Sequence, residues 1–265
     1  MGERPVEGAT PDSLLALHAA GYREVAGRLG PGLVLDVGCG EGAESSRLAA
    51  EGRTVVGVDY SFEAARAAAH RFGQAGLKVA QMDATALGLA TGSVRWACSS
   101  HLIEHFFEPE RHVAELARVL ADDGTAFFLT PNAPADFENP FHVHLFEPPE
   151  LDALLRRYFR QVRVQGLDAS PQAKANFAAR RDKARKLLRL DFLDLRHRVP
   201  RSWYVAAYTR ALPLAYRLMA RRDCGGESGI GEEDFFLTDA IEPTTMVLFA
   251  TGTGPRRVGP EPAWG

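Results

Sequence analysis

Cysteine is scarce. Cys39, Cys98 and Cys224 form an odd set at wide, unequal spacing in a chain of 265 residues, which excludes a disulfide framework and supplies no zinc pattern. Lysine is rarer than arginine to an unusual degree: Lys78, Lys174, Lys183 and Lys186 are the only lysines among 31 basic residues. That bias suits a GC-rich bacterial genome and says nothing of function. No apolar run reaches the ~20 residues that span a bilayer, and the first eight residues lack the apolar stretch of a signal peptide, so a reducing, cytoplasmic setting is expected. Repeats at solenoid periods are absent. What remains is ordinary: 46% hydrophobic and 25% charged residues, 25 Gly, 16 Pro and a net charge of −3. This composition excludes disordered and collagen-like chains and fits one large α/β domain, or one domain carrying a sizeable insertion, better than two equal domains.

The first third alternates helical and strand-like patterns, as a parallel sheet with crossover helices requires. Asp12 or Ser13 caps a helix running to about residue 30, and 33–37 is a strand. Residues 43–51 read as a helix, 54–58 as a strand, 62–76 as a helix and 78–82 as a third strand. A fourth strand at 94–99, a helix at 109–120 and a fifth strand at 125–130 follow, with Asp122-Asp123-Gly124 as a turn. Five prolines between 131 and 150 mark an irregular loop. A helix is then expected at 150–158, and strands at 161–166 and 244–251.

The run Val34-Leu35-Asp36-Val37-Gly38-Cys39-Gly40-Glu41-Gly42 places glycines on a strand-to-helix turn, where unusual backbone angles and close ligand approach are needed. Asp59 follows Gly38 by 21 residues at the end of the next strand, where a carboxylate accepts both hydroxyls of a ribose. A nucleoside-containing ligand is implied. The same glycines also satisfy a dinucleotide fingerprint, and Asp36 discriminates: beside the loop it repels a pyrophosphate but orients the ammonium, or offsets the sulfonium, of S-adenosylmethionine. Asp83-Ala84, after the third strand, adds an acceptor for the exocyclic amine of adenine.

With these motifs the sequence resembles the class I S-adenosylmethionine-dependent methyltransferases, from His18 to Asn132. The resemblance rests on the glycine loop, Asp59, Asp83-Ala84, the segment from Ser99 to His105, and Leu116-Ala117-Arg118-Val119-Leu120 leading to Gly124. It implies a Rossmann-like α/β fold with a seven-stranded mixed sheet of order 3-2-1-4-5-7-6, the seventh strand antiparallel. A core of 1–168 and 241–252, a helical insertion at 169–240 between strands six and seven, and a tail at 253–265 follow. S-adenosylmethionine would be held by Tyr22, Asp36, Gly38, Cys39, Gly40, Asp59, Tyr60, Asp83, Ala84 and Ser100. For Tyr22 the plain alternative is core packing. Arg95-Trp96 departs from the family, which carries an Asp after an aromatic in strand four.

His101-x-x-Glu104-His105 spells an inverted zinc-protease motif, but its context, a strand end followed within a turn by Glu108-Pro109, is not the long helix such a site needs. In a subset of methyltransferases that act on RNA or quinone precursors, a similar run plus a later His holds a divalent cation; here Glu104, His105 and His144 would be the metal set, with His142 the other candidate for the later His. The simpler reading needs no metal. Transfer of a methyl group to oxygen requires the acceptor hydroxyl to lose its proton, and His101 and His142, on segments leaving the carboxyl edge of the sheet, are the candidate bases. His18, His70, His112 and His197 lie on helices away from the motifs and read as structural or solvated.

From Ser170 to Arg222 basic residues far outnumber Asp182, Asp191 and Asp194, interleaved with Phe177, Trp203, Tyr204, Tyr208 and Tyr216. A solvated charged face is the bland account. The functional one is a lid that selects a small, anionic acceptor. Nucleic acid is the weaker partner because no RNA-binding module accompanies the charge, and Pro213 with its neighbouring arginines argues against more than peripheral membrane contact. A methyltransferase of small molecules, O-methylating a sugar or polar metabolite, is the expected function. An RNA or quinone-precursor enzyme and a cofactor-binding protein without turnover are the rivals.

Overall fold

The computed structural model describes residues 10–136, 141–188 and 229–257. They fall into two compact units: a larger one of 21–136, 143–168 and 237–257, and a smaller one of 10–20, 141–142, 169–188 and 229–236. In chain order the elements are α1 (Asp12–Ala26), β1 (Gly32–Val37), α2 (Ala43–Ser46), β2 (Arg53–Asp59), α3 (Phe62–Phe72), β3 (Lys78–Gln81) and β4 (Val94–Ser100). There follow α4 (Pro109–Val119), β5 (Leu120–Pro131), α5 (Pro148–Tyr158), β6 (Phe159–Ala169), α6 (Pro171–Leu188), β7 (Phe235–Thr238) and β8 (Val247–Pro255).

The strands form one sheet of order β3-β2-β1-β4-β5-β8-β6-β7. Neighbours from β3 to β5 run parallel, and β8 lies antiparallel between β5 and β6. This is the expected arrangement with β8 as its seventh strand and one edge strand added. The addition, β7, is four residues, Phe-Phe-Leu-Thr, between Glu232-Glu233-Asp234 and Asp239; a strand so short, bracketed by acids, carries no readable alternation. The expected insertion is therefore not wholly helical.

Local chemistry explains most boundaries. Val34, Leu35 and Val37 are buried as a parallel strand covered on both faces requires. Ser61 caps α3 by accepting from the Ala64 N–H at 3.4 Å, and Ala64, Ala65 and Ala68 are buried. Pro109 opens α4, where its missing N–H is harmless. The helix expected at 43–51 stops at Ser46, because Leu48 must turn inward and Glu51-Gly52 then reverse the chain into β2. Helix α1 ends at Ala26, four residues short of the expected limit, with Gly27 and Gly30 beyond it. The acidic turn at 121–124 is a bulge within β5, since Val94 faces Leu120 while Trp96 already faces Thr125. There Arg95, the departure from the family pattern, pairs with Asp123, and the Trp96 indole donates to the Pro31 carbonyl at 3.2 Å.

The core of the larger unit joins Leu35, Val37, Ile103, Leu116, Phe128, Phe146, Leu155 and Phe159. Asn132 closes it at the carboxyl edge: its amide donates to the carbonyls of Glu242 at 3.1 Å and Thr245 at 2.9 Å, fixing the entry to β8. Strand β8 runs three residues beyond the expected core limit of 252. In the smaller unit, Ser170 accepts from the Ala173 N–H at 3.2 Å and donates to Asp234 Oδ1 at 2.6 Å, while Phe177 meets Phe235 edge-on at 6.2 Å. Trp203, Tyr204, Tyr208, Tyr216, His197 and the remaining basic residues of 189–222 lie outside the described residues. No helix among the described residues is long and apolar enough to cross a membrane.

Phe128 is fully buried and meets Phe159 edge-on at 6.0 Å. Phe128→Ala is expected to lower stability by about 3–5 kcal/mol through lost burial and the cavity left behind, measured as a fall in the urea midpoint with unchanged slope.

Candidate active site

Strand β1 delivers the chain into a turn in which Gly38, Gly40 and Gly42 have φ of +80°, +54° and +83°, a region that only glycine enters freely. The N–H groups of Gly38 and Cys39 donate to the Val58 carbonyl at 2.8 and 3.0 Å. That of Gly40 donates to Asp59 Oδ2 at 3.0 Å, while Asp59 Oδ1 accepts from the Ser61 N–H at 2.8 Å. The three glycines serve different ends. A Cβ at Gly38 would press on Leu102 at 3.1 Å and one at Gly42 on Ala68 and Leu77 at 2.9 Å, whereas at Gly40 it would meet nothing within 4 Å. Gly38 and Gly42 therefore permit packing, and Gly40 turns its Cα side to open space. Asp59 is half-buried beside it, and Tyr60 is exposed.

Asp36 and Tyr22 were expected at the amino-acid end of the donor. In the structure both are buried and face each other: the Tyr22 hydroxyl lies 3.1 and 3.2 Å from the two Asp36 oxygens, and Ser45 Oγ donates to Oδ2 at 2.5 Å. Burial raises the Asp36 pKa from 3.8 to about 6, against the lowering pull of hydrogen bonds from Ser45, Tyr22 and Cys98. Burial, and then the Asp36 charge, push the Tyr22 hydroxyl well above its ordinary value. The pair braces the floor of the glycine turn.

Asp83 is exposed at the end of β3. Its Oδ1 accepts both the N–H and the hydroxyl of Thr85 at 2.7 Å, and these bonds hold its pKa below the usual value. The Met82 N–H donates to the Asp59 carbonyl at 3.1 Å, joining this turn to the glycine loop. The next residue, Ala84, is bonded to a side chain the sequence placed away from the motifs. His112 is fully buried, with Nδ1 3.0 Å from the Ala84 carbonyl and Nε2 2.8 Å from Ser99 Oγ. The expectation that His112 is remote from the motifs is thus corrected: α4 carries it through the core to Ala84 and Ser99. Ser100 follows on the opposite face of β4, and its buried Oγ has no hydrogen-bond partner among the described residues.

His101 leaves the end of β4 with φ +50°, the only positive φ of a residue other than glycine among the described residues. Its N–H is fixed to the Leu129 carbonyl at 2.8 Å, and its Nδ1 lies 3.5 Å from Glu104 Oε1. Glu104 is fully buried. Its Oε2 accepts from the Thr130 hydroxyl at 3.0 Å, and its carbonyl from the N–H groups of Val143 and His144 at 2.9 and 3.1 Å. Ile103–His105 is one 3-10 turn rather than a long helix, so the inverted zinc-protease geometry is not formed. His105 is half-buried there. His144, third in the alternative metal set, directs Nε2 to Glu150 Oε1 at 2.8 Å and stacks on Phe146. His142 is half-buried in the smaller unit.

Residues 35–128 match a family described as a methyltransferase domain. A Mycobacterium tuberculosis protein, the probable S-adenosylmethionine-dependent methyltransferase Rv3030, is 33% identical over 144 residues, 52% of either chain. A ubiquinone biosynthesis O-methyltransferase of Nitrosomonas europaea is 33% identical over 112 residues, 41% of this chain and 48% of its own. The chain thus spans about half the length of the curated relatives it matches. A solved Thermotoga maritima structure, described as an S-adenosylmethionine-dependent methyltransferase and possible histamine N-methyltransferase, superposes with a TM-score of 0.57 over 91% of both chains. At 16% identity that likeness is one of fold.

The buried Asp36 has a signature in stability. Its folded pKa of about 6 exceeds the ordinary 3.8, so between these values the folded state binds the extra proton and stability falls as pH rises, by about 3 kcal/mol in all. Denaturant midpoints from pH 4 to 7 should show that fall in the wild type and a flatter profile in Asp36→Asn.

Proposed function

We propose that the chain, whose residues 35–128 match a methyltransferase domain family, is a class I S-adenosylmethionine-dependent methyltransferase and that it methylates an oxygen of a small polar molecule, such as a sugar or other metabolite. The observation that carries the reading is His101, held on strained backbone at the carboxyl edge of the sheet with Nδ1 turned to the buried Glu104. Residues in such backbone conformations cluster at functional sites. The donor's requirements fit the residues present. The Cα side of Gly40 faces open space, Asp59 stands at the end of β2 for the ribose hydroxyls, and Ser100 holds a buried hydroxyl oxygen without a partner among the described residues. With Oδ1 of Asp83 engaged by Thr85, Oδ2 is the oxygen for the exocyclic amine of adenine.

Bound S-adenosylmethionine supplies a methyl group on a positively charged sulfur, which an acceptor oxygen displaces in line. The protein's part is to hold the acceptor and remove its proton. With Nδ1 protonated toward Glu104, Nε2 of His101 is the atom that takes that proton, and the Glu104 carboxylate, steadied by Thr130, favours the imidazolium that results. Acceptor choice we assign to residues 169–240. Strand β6 runs parallel to β5, so the chain leaves it at the edge where β5 also ends, and ligands of open α/β sheets bind outside that edge. If the arginines of this segment hold an anionic group of the acceptor, added salt should raise its KM.

The quinone-precursor reading is favoured by one observation, the likeness to the Nitrosomonas europaea enzyme. It would use Glu104 and His105 as metal ligands with His142 or His144; His144 is engaged by Glu150, which leaves His142 to complete the set. Chelation separates the two readings: a divalent ion that restores lost activity supports the metal, and indifference to chelators supports His101 alone.

Two measurements test the main proposal. By calorimetry, Asp59→Ala should weaken S-adenosylhomocysteine binding by about 1–3 kcal/mol, since ribose hydroxyls lose a charged partner; an unchanged affinity would remove Asp59 from the site. With labelled donor and fractionated bacterial extract as acceptor source, His101→Ala should lower turnover by ~10²–10⁴ with donor affinity nearly intact. Loss of turnover in His142→Ala but not in His101→Ala would transfer the role of base.

A further inference from the structure

Among the described residues, His112 is the one buried histidine that the proposed chemistry does not use, yet both its nitrogens reach segments assigned to the donor. The Ala84 carbonyl can only accept, so Nδ1 carries the proton and donates to it at 3.0 Å. Nε2 is then the acceptor, and the Ser99 hydroxyl donates to it at 2.8 Å. The ring is stacked on Phe106, with centroids 5.1 Å apart, and meets Phe128 edge-on. Rotation about its side-chain bonds would break two buried hydrogen bonds and two ring contacts. Burial lowers its pKa to about 4, so the neutral tautomer described persists at neutral pH.

What the ring fixes is a backbone position. The turn after β3 is tethered at Met82 to the Asp59 carbonyl and at Leu87 to α4, where the Leu87 N–H donates to Glu115 at 2.6 Å and its carbonyl accepts from Arg118 at 2.9 Å. Between these anchors the Ala86 N–H closes the turn on the Asp83 carbonyl at 3.1 Å, and His112 is the side chain that ties its Ala84 carbonyl to α4. Through Ser99 the same ring also fixes the strand end that presents Ser100.

We propose that His112 is a positioning residue for recognition of the donor's base: without touching the donor, it sets the Asp83-Ala84 turn against the end of β4 so that the turn distinguishes adenine from a base lacking the exocyclic amine. The inference rests on the proposed placement of adenine at Asp83-Ala84.

The experiment is calorimetry of the whole chain with S-adenosylhomocysteine and with S-inosylhomocysteine, in which a carbonyl oxygen replaces the amine. The wild type should prefer the adenine compound by about 10-fold or more, the worth of one lost charged hydrogen bond. His112→Phe, which fills the space but makes neither bond, should bind S-adenosylhomocysteine more weakly and show a preference close to one. His112→Asn, whose Nδ2 occupies the place of Nδ1, should recover most of the preference. Ser99→Ala, which removes only the second bond, supplies a milder perturbation should His112→Phe fold poorly, and should reduce the preference in part. A preference unchanged in folded His112→Asn, His112→Phe and Ser99→Ala, whatever their melting temperatures, would make the histidine merely structural and overturn the proposal. A wild type that binds both compounds equally would overturn the adenine placement itself, and the proposal with it. One that binds neither would overturn donor binding.

Discussion

The hydrogen bond from the Gly40 N–H to the Asp59 carboxylate is the constraint around which the candidate site is arranged. It ties the turn after β1 to the end of β2 at the level where a ligand must lie, and it does so with the group assigned to that ligand. Asp59 also accepts from Ser61 to start α3, and its carbonyl holds Met82. Three turns that are far apart in sequence therefore meet at one residue, and each is fixed before a ligand arrives. Preorganisation of this kind spares a binding site the loss of loop entropy on association. Beneath it, the Tyr22-Asp36-Ser45 cluster is a buried polar network with each hydrogen bond directed at one carboxylate, which makes the floor of the turn stiff and intolerant of change.

Much of this was legible in the sequence because the informative residues sit at strand ends, where spacing alone sets position. Glycines at 38, 40 and 42 with carboxylates at 36, 59 and 83 follow from the period of a strand-turn-helix unit, and the parallel part of the sheet follows with them. Partnerships across long separations were not legible. Nothing local announces that His112 reaches Ala84, 28 residues earlier, or Ser99; on α4 it reads as one polar residue near a core face. Nor does any local feature reveal that Tyr22 and Ser45 converge on Asp36. Glu104 stood out only in a metal-like pattern, whereas its position, below His101 and bonded to Thr130, depends on how β4 and β5 pair. The short strand β7 was hidden by its acidic flanks.

The likeness in fold to a protein sharing 16% identity shows how little of the reaction is set by the sheet itself. One architecture carries many chemistries by changing what projects from one edge. Here the matched family segment ends at Phe128, and Thr130, Asn132 and the residues after β6 lie beyond it.

The last strand has a consequence for how the chain is handled. Beyond β8, Arg257 sends its guanidinium back across the molecule to the carbonyls of Ala117, Arg118 and Leu120, at 3.0, 3.1 and 2.9 Å, capping the end of α4. A cationic cap on terminal helix carbonyls opposes fraying of the last turn. The helix it secures is the one that carries His112, so trimming a few residues after Pro255 would loosen the helix whose histidine holds the Ala84 carbonyl. A shortened version made for crystallisation should therefore end after Arg257, not before it.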